Sequence, residues 1–194
     1  MSTVPIFADE QWRLPSRGVV AMVSLLIGES AIFTIFVVAY IFYIGRSVSG
    51  PTPAILHVPI FNTICLLSSS FTIILAERAI EHGRMRQFAA LWGLTMLLGI
   101  EFLIGTGMEW HDLIYEKGLT VSTNLFGTTF YSLVGLHATH VVIGLIMLTI
   151  VMVFTLMGRV KQSHAERVKV LALYWHFVDA VWVVVFTVVY IVGK

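Results

Sequence analysis

Five stretches of this chain are each long and apolar enough to cross a lipid bilayer, and together they take up most of its 194 residues. A hydrocarbon core about 30 Å thick calls for roughly 20 apolar residues in helix. The runs 18–44, 59–80, 88–113, 126–156 and 168–192 all meet that length. With 58% hydrophobic and 12% charged residues and a mean hydropathy of +0.90, the chain is far from the profile of a soluble domain. The expected fold is all-α: an integral membrane bundle of five transmembrane helices. It forms a single membrane domain over residues 1–194, with no room for a separate soluble catalytic domain.

The basic residues set the expected orientation. The N-terminus and the second and fourth loops share one side of the membrane. They carry Arg13, Arg17, Arg78, Arg84, Arg86, Arg159, Lys161, Arg167 and Lys169. The opposite side has only Arg46, Lys117 and Lys194. This positive-inside bias predicts a cytoplasmic N-terminus and an outer C-terminus. The opening residues are polar, with Asp9 and Glu10, so no cleavable signal peptide is expected. The net charge of +1 carries no signature of nucleic-acid binding. The lone Cys65 reads as a small packing residue in an apolar helix. Pro59 suits the start of the second span. The short loop at 81–87 predicts that spans two and three are antiparallel neighbours. Residues 122–124 offer an N-cap for the fourth span.

An ionisable group at mid-bilayer costs about 2.5–3.5 kcal/mol on insertion scales, so each one needs a reason. At about 1.5 Å of rise per residue, Glu29, Glu101, His137, His140, His176 and Asp179 fall in one mid-membrane band. His137 and His140, like His176 and Asp179, are three residues apart and share a helical face. A metal or haem site is one reading, because imidazole is a common ligand within helical bundles. The favoured reading is polar ties, in which each histidine bonds a carboxylate or carbonyl on a neighbouring helix; a proton relay through these groups is the third reading. The spans contain no Glu-x-x-His motif of the kind a di-metal site uses. Glu29, among Gly28, Ser30 and Ala31, is either a hydrogen-bonded acid in a close helix contact or a proton-active group; both readings stand. Glu109 and the adjoining Trp110, His111 and Asp112 are expected at the outer interface. Trp12, Trp92, Trp110, Trp175 and Trp182 fit an interfacial belt or helix packing.

Several blocks then point to a family. The last span reads Tyr174-Trp175-His176-Phe177-Val178-Asp179-Ala180-Val181-Trp182, followed by Phe186-Thr187-Val188-Val189-Tyr190. It resembles the C-terminal signature of subunit III of haem-copper respiratory oxidases. Gly127-Thr128-Thr129-Phe130-Tyr131, then Gly135-Leu136-His137-Ala138-Thr139-His140-Val141 and Gly144, is similar to a second signature of that family. Gly28-Glu29-Ser30 resembles its carboxylate-bearing helix. Pro59 with Asn62-Thr63 and Leu66-Leu67-Ser68-Ser69 resembles the next helix, and Glu109 falls where the family has an acidic residue. The resemblance covers about residues 17–193. Longer members have seven spans; this chain lacks the first two, as short bacterial members do, and with them one wall of a lipid-filled cleft. Glu101 matches no acidic position of the family, and a hydrogen bond to His137 or His140 is its expected role.

The resemblance implies a non-catalytic subunit that holds no haem or metal of its own. It would pack on subunit I, which carries the haems and copper, alongside subunit II and a small subunit IV. It also implies bound phospholipid, support of proton uptake, and residence in the bacterial cytoplasmic membrane. Arg78, Arg84, Arg86 and Arg159 are the candidate lipid-phosphate contacts, solvated positive-inside charge being the favoured reading of each. Two alternatives are an accessory protein of a nitric oxide reductase system and a small haem-binding membrane cytochrome or proton carrier.

Overall fold

The computed structural model describes residues 16–47 and 50–193. Trp12, Asp9, Glu10, Arg13 and Lys194 therefore lie outside the described residues. Five long helices follow one another: α1 (Arg17–Tyr43), α2 (Ile60–Glu81), α3 (Met85–Tyr115), α4 (Leu125–Leu156) and α5 (Ala165–Phe186). The last continues without a break as a π-helix, Thr187–Val192. Each contains a window long and apolar enough to cross a membrane, and among the described residues there is no strand.

The ends of the helices follow from local chemistry. The Asn124 side chain accepts a hydrogen bond from the Gly127 amide at 2.8 Å, capping α4. At the end of α2 the chain reverses through Gly83, whose φ of +71° favours a residue without Cβ. Its amide donates to the Ile80 carbonyl, and the Arg84 amide donates to that of Ala79, a Schellman closure. Gly158 closes α4 the same way, its φ being +69°, with bonds to Thr155 and Phe154. Pro59 stands one residue ahead of α2, where its missing N–H breaks no helical bond.

The short turn makes α2 and α3 an antiparallel pair, and theirs is the most extensive helix contact in the bundle. Its register is visible in facing residues: Thr72 and Thr95 share a 2.7 Å hydrogen bond, Cys65 lies beside Glu101, and Asn62 packs against Gly105. Helix α5 packs on α1, α2 and α4. The outer surface is apolar: Ile27, Ile35, Phe61, Leu97 and Ile104 are all exposed. The most enclosed side chains are aromatic, with Trp92, Trp175 and Trp182 fully buried. Of the two roles expected for the tryptophans, interfacial belt or helix packing, these three take the second.

Trp175 is the hub of the bundle. Its indole N–H donates to Ser69 of α2 at 2.8 Å. Its six-membered ring rests on the backbones of Gly99 in α3 and Gly144 in α4, where an added Cβ would come within 2.7 and 2.8 Å of ring atoms. A single side chain of α5 thus touches three other helices, and two glycines make room for it.

Candidate functional site: the polar ties within the membrane

The six mid-membrane ionisable residues do not converge on one centre. Glu29 of α1 meets His140 of α4, Oε2 to Nε2 at 3.0 Å. The other ring nitrogen of His140 lies 2.8 Å from the Leu136 carbonyl, which can only accept, so Nδ1 carries a proton. The contact is then either a carboxylic acid donating to a bare Nε2 or an imidazolium donating to a carboxylate. Both forms hold one proton between two heavy atoms, and both leave the pair neutral overall. That is how an acid and a base share a low-dielectric interior at tolerable cost.

His176 and Asp179 face α2. Ser70 Oγ donates to Asp179 Oδ2 and lies 3.1 Å from His176 Nδ1. Nearby, Trp182 donates to Thr63 at 3.2 Å. These bonds, together with that of Trp175, lace α2 to α5.

His137 differs from the expectation of a hydrogen-bonded tie. It is fully buried, and neither ring nitrogen has a partner among the described residues. The ring stacks on Trp182, centroids 5.0 Å apart, and meets the edge of Phe102 at 5.7 Å. Aromatic contact takes the place of hydrogen bonding there.

Glu101 also departs from its expected role. It bonds neither His137 nor His140; its Oε2 is buried without a hydrogen-bond partner among the described residues, and its neighbour is Cys65. The α2–α3 register turns this position towards α2, whereas His140 is engaged by α1 and His137 by Trp182. A shared depth did not mean a shared azimuth.

Glu109, expected as an interfacial residue, is turned inward, and both its oxygens lie 3.0 Å from the Tyr190 hydroxyl. That bond, Ser69 and Ser70 were not anticipated. The run Ser68-Ser69-Ser70 inside an apolar span was the available signal, since hydroxyls at bilayer depth seek partners on other helices. Among the described residues, no three His, Cys, Asp or Glu side chains converge as a metal ion would require.

At the ends of the helices that carry the basic loops, Arg78 and Arg84 line one groove of about 580 Å³ with Leu75, His82 and Leu91. Arg159 lines another, of about 300 Å³, with His164, Arg167 and apolar side chains of α4 and α5. Arg86 lines neither groove. The Glu81 carboxylate pairs with Lys169, and Arg78 has no ion pair among the described residues.

The family model described as cytochrome c oxidase subunit III matches residues 48–194. The chain belongs to the cytochrome c oxidase subunit III family. It is 34% identical over 169 residues to cytochrome c oxidase subunit 3 of Alkalihalophilus pseudofirmus, covering 86% of this chain and 82% of that protein. The match to the Synechocystis protein of the same name is 37% over 187 residues, covering 91% and 76%. That of Thermostichus vulcanus is 32% identical over 193 residues, covering 97% and 94%. Subunit III is thus a multi-pass part of a haem-copper oxidase, the complex that reduces oxygen to water. These matches lend nothing to the nitric oxide reductase reading or to the small cytochrome or carrier reading.

Proposed function

We propose that this subunit III forms a single membrane domain that packs on the catalytic subunit I and stabilises it without holding a redox centre. Subunit II and a small subunit IV complete the assembly, which lies in the bacterial cytoplasmic membrane with the N-terminus of this chain inside. The observation that carries this reading is how the intramembrane groups are spent. Glu29 is engaged by His140, and Asp179 and His176 by Ser70. These bonds tie one helix to the next, which supports a structural part for the groups and leaves the redox chemistry to partner subunits. Glu29 keeps one face partly exposed, which suits a group that feels the proton-uptake route of a neighbour.

Bound phospholipid belongs to the same proposal. Arg78 and Arg84 border a groove whose floor is apolar, the combination that suits a headgroup phosphate above an acyl chain. Arg159 and Arg167 border the second.

The direct test is affinity purification of the tagged chain from membranes. The reading predicts stoichiometric recovery with a haem-bearing polypeptide and the other oxidase subunits. Recovery with none of them would overturn it.

A further inference from the structure

Glu101 stands near the middle of α3, about 24 Å from one end and about 21 Å from the other at 1.5 Å of rise per residue. Of the three mid-span carboxyls it alone lacks an oxygen or nitrogen donor among the described residues. Glu29 is held by His140, and Asp179 by Ser69 and Ser70. Glu101 is only half-buried, and its enclosed Oε2 has no hydrogen-bond partner among the described residues. Beside it lies the Cys65 thiol, a weak donor. An ionisable group at this depth is costly unless a partner meets it.

The position of Glu101 turns it to the rim of the α2–α3 contact. Leu94 and Leu97 lie seven and four residues before it, Ile104 and Met108 three and seven after, so the five share a helical face. The four apolar members are all exposed. On α2, Phe61 and Ser68 flank Cys65 in the same way, four residues before and three after, and both are exposed. Ser68 makes no hydrogen bond among the described residues. An apolar surface thus spans α2 and α3, with one acid and one hydroxyl near its middle.

The exposed face of α1 is a useful contrast. It is equally apolar, but the hydroxyls of Ser24, Ser30 and Thr34 donate to carbonyls of their own helix, and Glu29 is engaged by α4. Acyl chains satisfy such a face completely. They cannot satisfy Glu101, because they carry no donor. A transmembrane helix can, since its side chains stand at fixed depth and hydrogen-bond across helices. The row from Leu94 to Met108 recurs in alternating steps of three and four residues, the row along which a second helix packs, and one polar group within an apolar seam fixes the register of the pair.

We propose that the Glu101 face of α2 and α3 receives a transmembrane helix of another oxidase subunit, and that this helix brings a hydrogen-bond donor to Glu101 at mid-bilayer. Ser68 offers the same helix a second polar contact about one turn away. The inference rests on the reading of this chain as an oxidase subunit and adds which face docks and what chemistry the docked helix carries.

The test uses the complex in its native membranes and as purified from them. A benzophenone amino acid replacing Leu97 or Ile104, photolysed in the membrane, should crosslink this chain to a membrane span of another oxidase subunit. Crosslinks to lipid alone, or to a second copy of this chain alone, would overturn the proposal. Glu101→Leu then tests the hydrogen bond, with the chain's total amount in membranes measured by immunoblot so that poor accumulation is scored apart from detachment. Were lipid to cover the face, removing an acid from hydrocarbon would leave retention in the complex unchanged or raise it. Against a partner helix the same change strands a buried donor, and release of this chain at a given detergent concentration should rise on the order of tenfold. Glu101→Gln, which keeps an accepting oxygen, should stay within about twofold of the unaltered chain. Equal release from Glu101→Leu and unaltered complexes would overturn the proposal. Failure to recover any oxidase subunit with the unaltered chain would overturn the functional reading, and this proposal with it.

Discussion

Replacing Gly144 by Ala probes the Trp175 hub most sharply. The added Cβ would stand 2.8 and 2.9 Å from two ring atoms of Trp175, where carbon pairs settle at about 3.5–4.0 Å. Relief requires the indole or α4 to move by roughly 0.7 Å. The ring has little freedom to do so, because it also rests against Gly99 and its N–H is tethered to Ser69. Overpacking of this kind costs about 1–3 kcal/mol. Alanine returns up to about 1 kcal/mol through its better helix propensity, so the net destabilisation is smaller. Gly28→Ala supplies the matched control. It gains the same propensity in the same membrane band, but nothing lies within 4 Å of its new methyl group. The difference between the two variants isolates the clash at about 2 kcal/mol, roughly 6 °C in melting temperature for a chain of this size. Cys65, the only cysteine, is buried, so a thiol-reactive dye reports unfolding in detergent directly. If Gly144→Ala melts together with Gly28→Ala, the description of Trp175 as a clamped hub is wrong.

The membrane ties give further expectations. Glu29→Gln keeps a hydrogen-bonding partner for His140 and should leave assembly intact, whereas Glu29→Leu strands the imidazole at about 1–3 kcal/mol; melting temperatures of the two variants separate these outcomes. Asp179→Ala should lower the amount of this chain retained in the purified complex, again by about 1–3 kcal/mol, because Ser69 and Ser70 of α2 lose the acceptor they share on α5; full retention with an unchanged melting temperature would count against the α2–α5 lacing. The double variant Arg78→Ala, Arg84→Ala should copurify with less anionic phospholipid, measured by lipid mass spectrometry, while Arg86→Ala should not differ from the unaltered protein.

The five helices were legible because a bilayer imposes a length on any apolar run that crosses it, and Gly83, Asn124 and Gly158 mark the helix ends by chemistry that can be read locally. The pairing of α2 with α3 followed from the shortness of their turn. The partners of the polar residues were harder to read. Depth along a helix comes from counting residues, but azimuth comes from packing, and the two together decide who meets whom. Glu101 shows the failure: it has the depth of the histidines, yet it points at Cys65. His137 shows another, since a stack on Trp182 leaves no trace in residue spacing. Gly144 and Trp175 were both visible in the family blocks, but their contact joins α4 to α5 across a distance in sequence that no periodicity spans. Ser69 serves Trp175 whereas Ser70 serves Asp179 and His176, a division that coordinates alone reveal.

The central claim is that this subunit holds its partners in place while the haems and copper reside elsewhere. Metal and haem content per mole of complex, compared between oxidase purified with this chain and oxidase purified from a strain lacking it, tests that claim most directly. The account predicts equal haem and copper in the two preparations, with the depleted complex unfolding at a lower temperature. Loss of a haem or a copper atom together with the chain, or a Soret band from the chain alone, would contradict it.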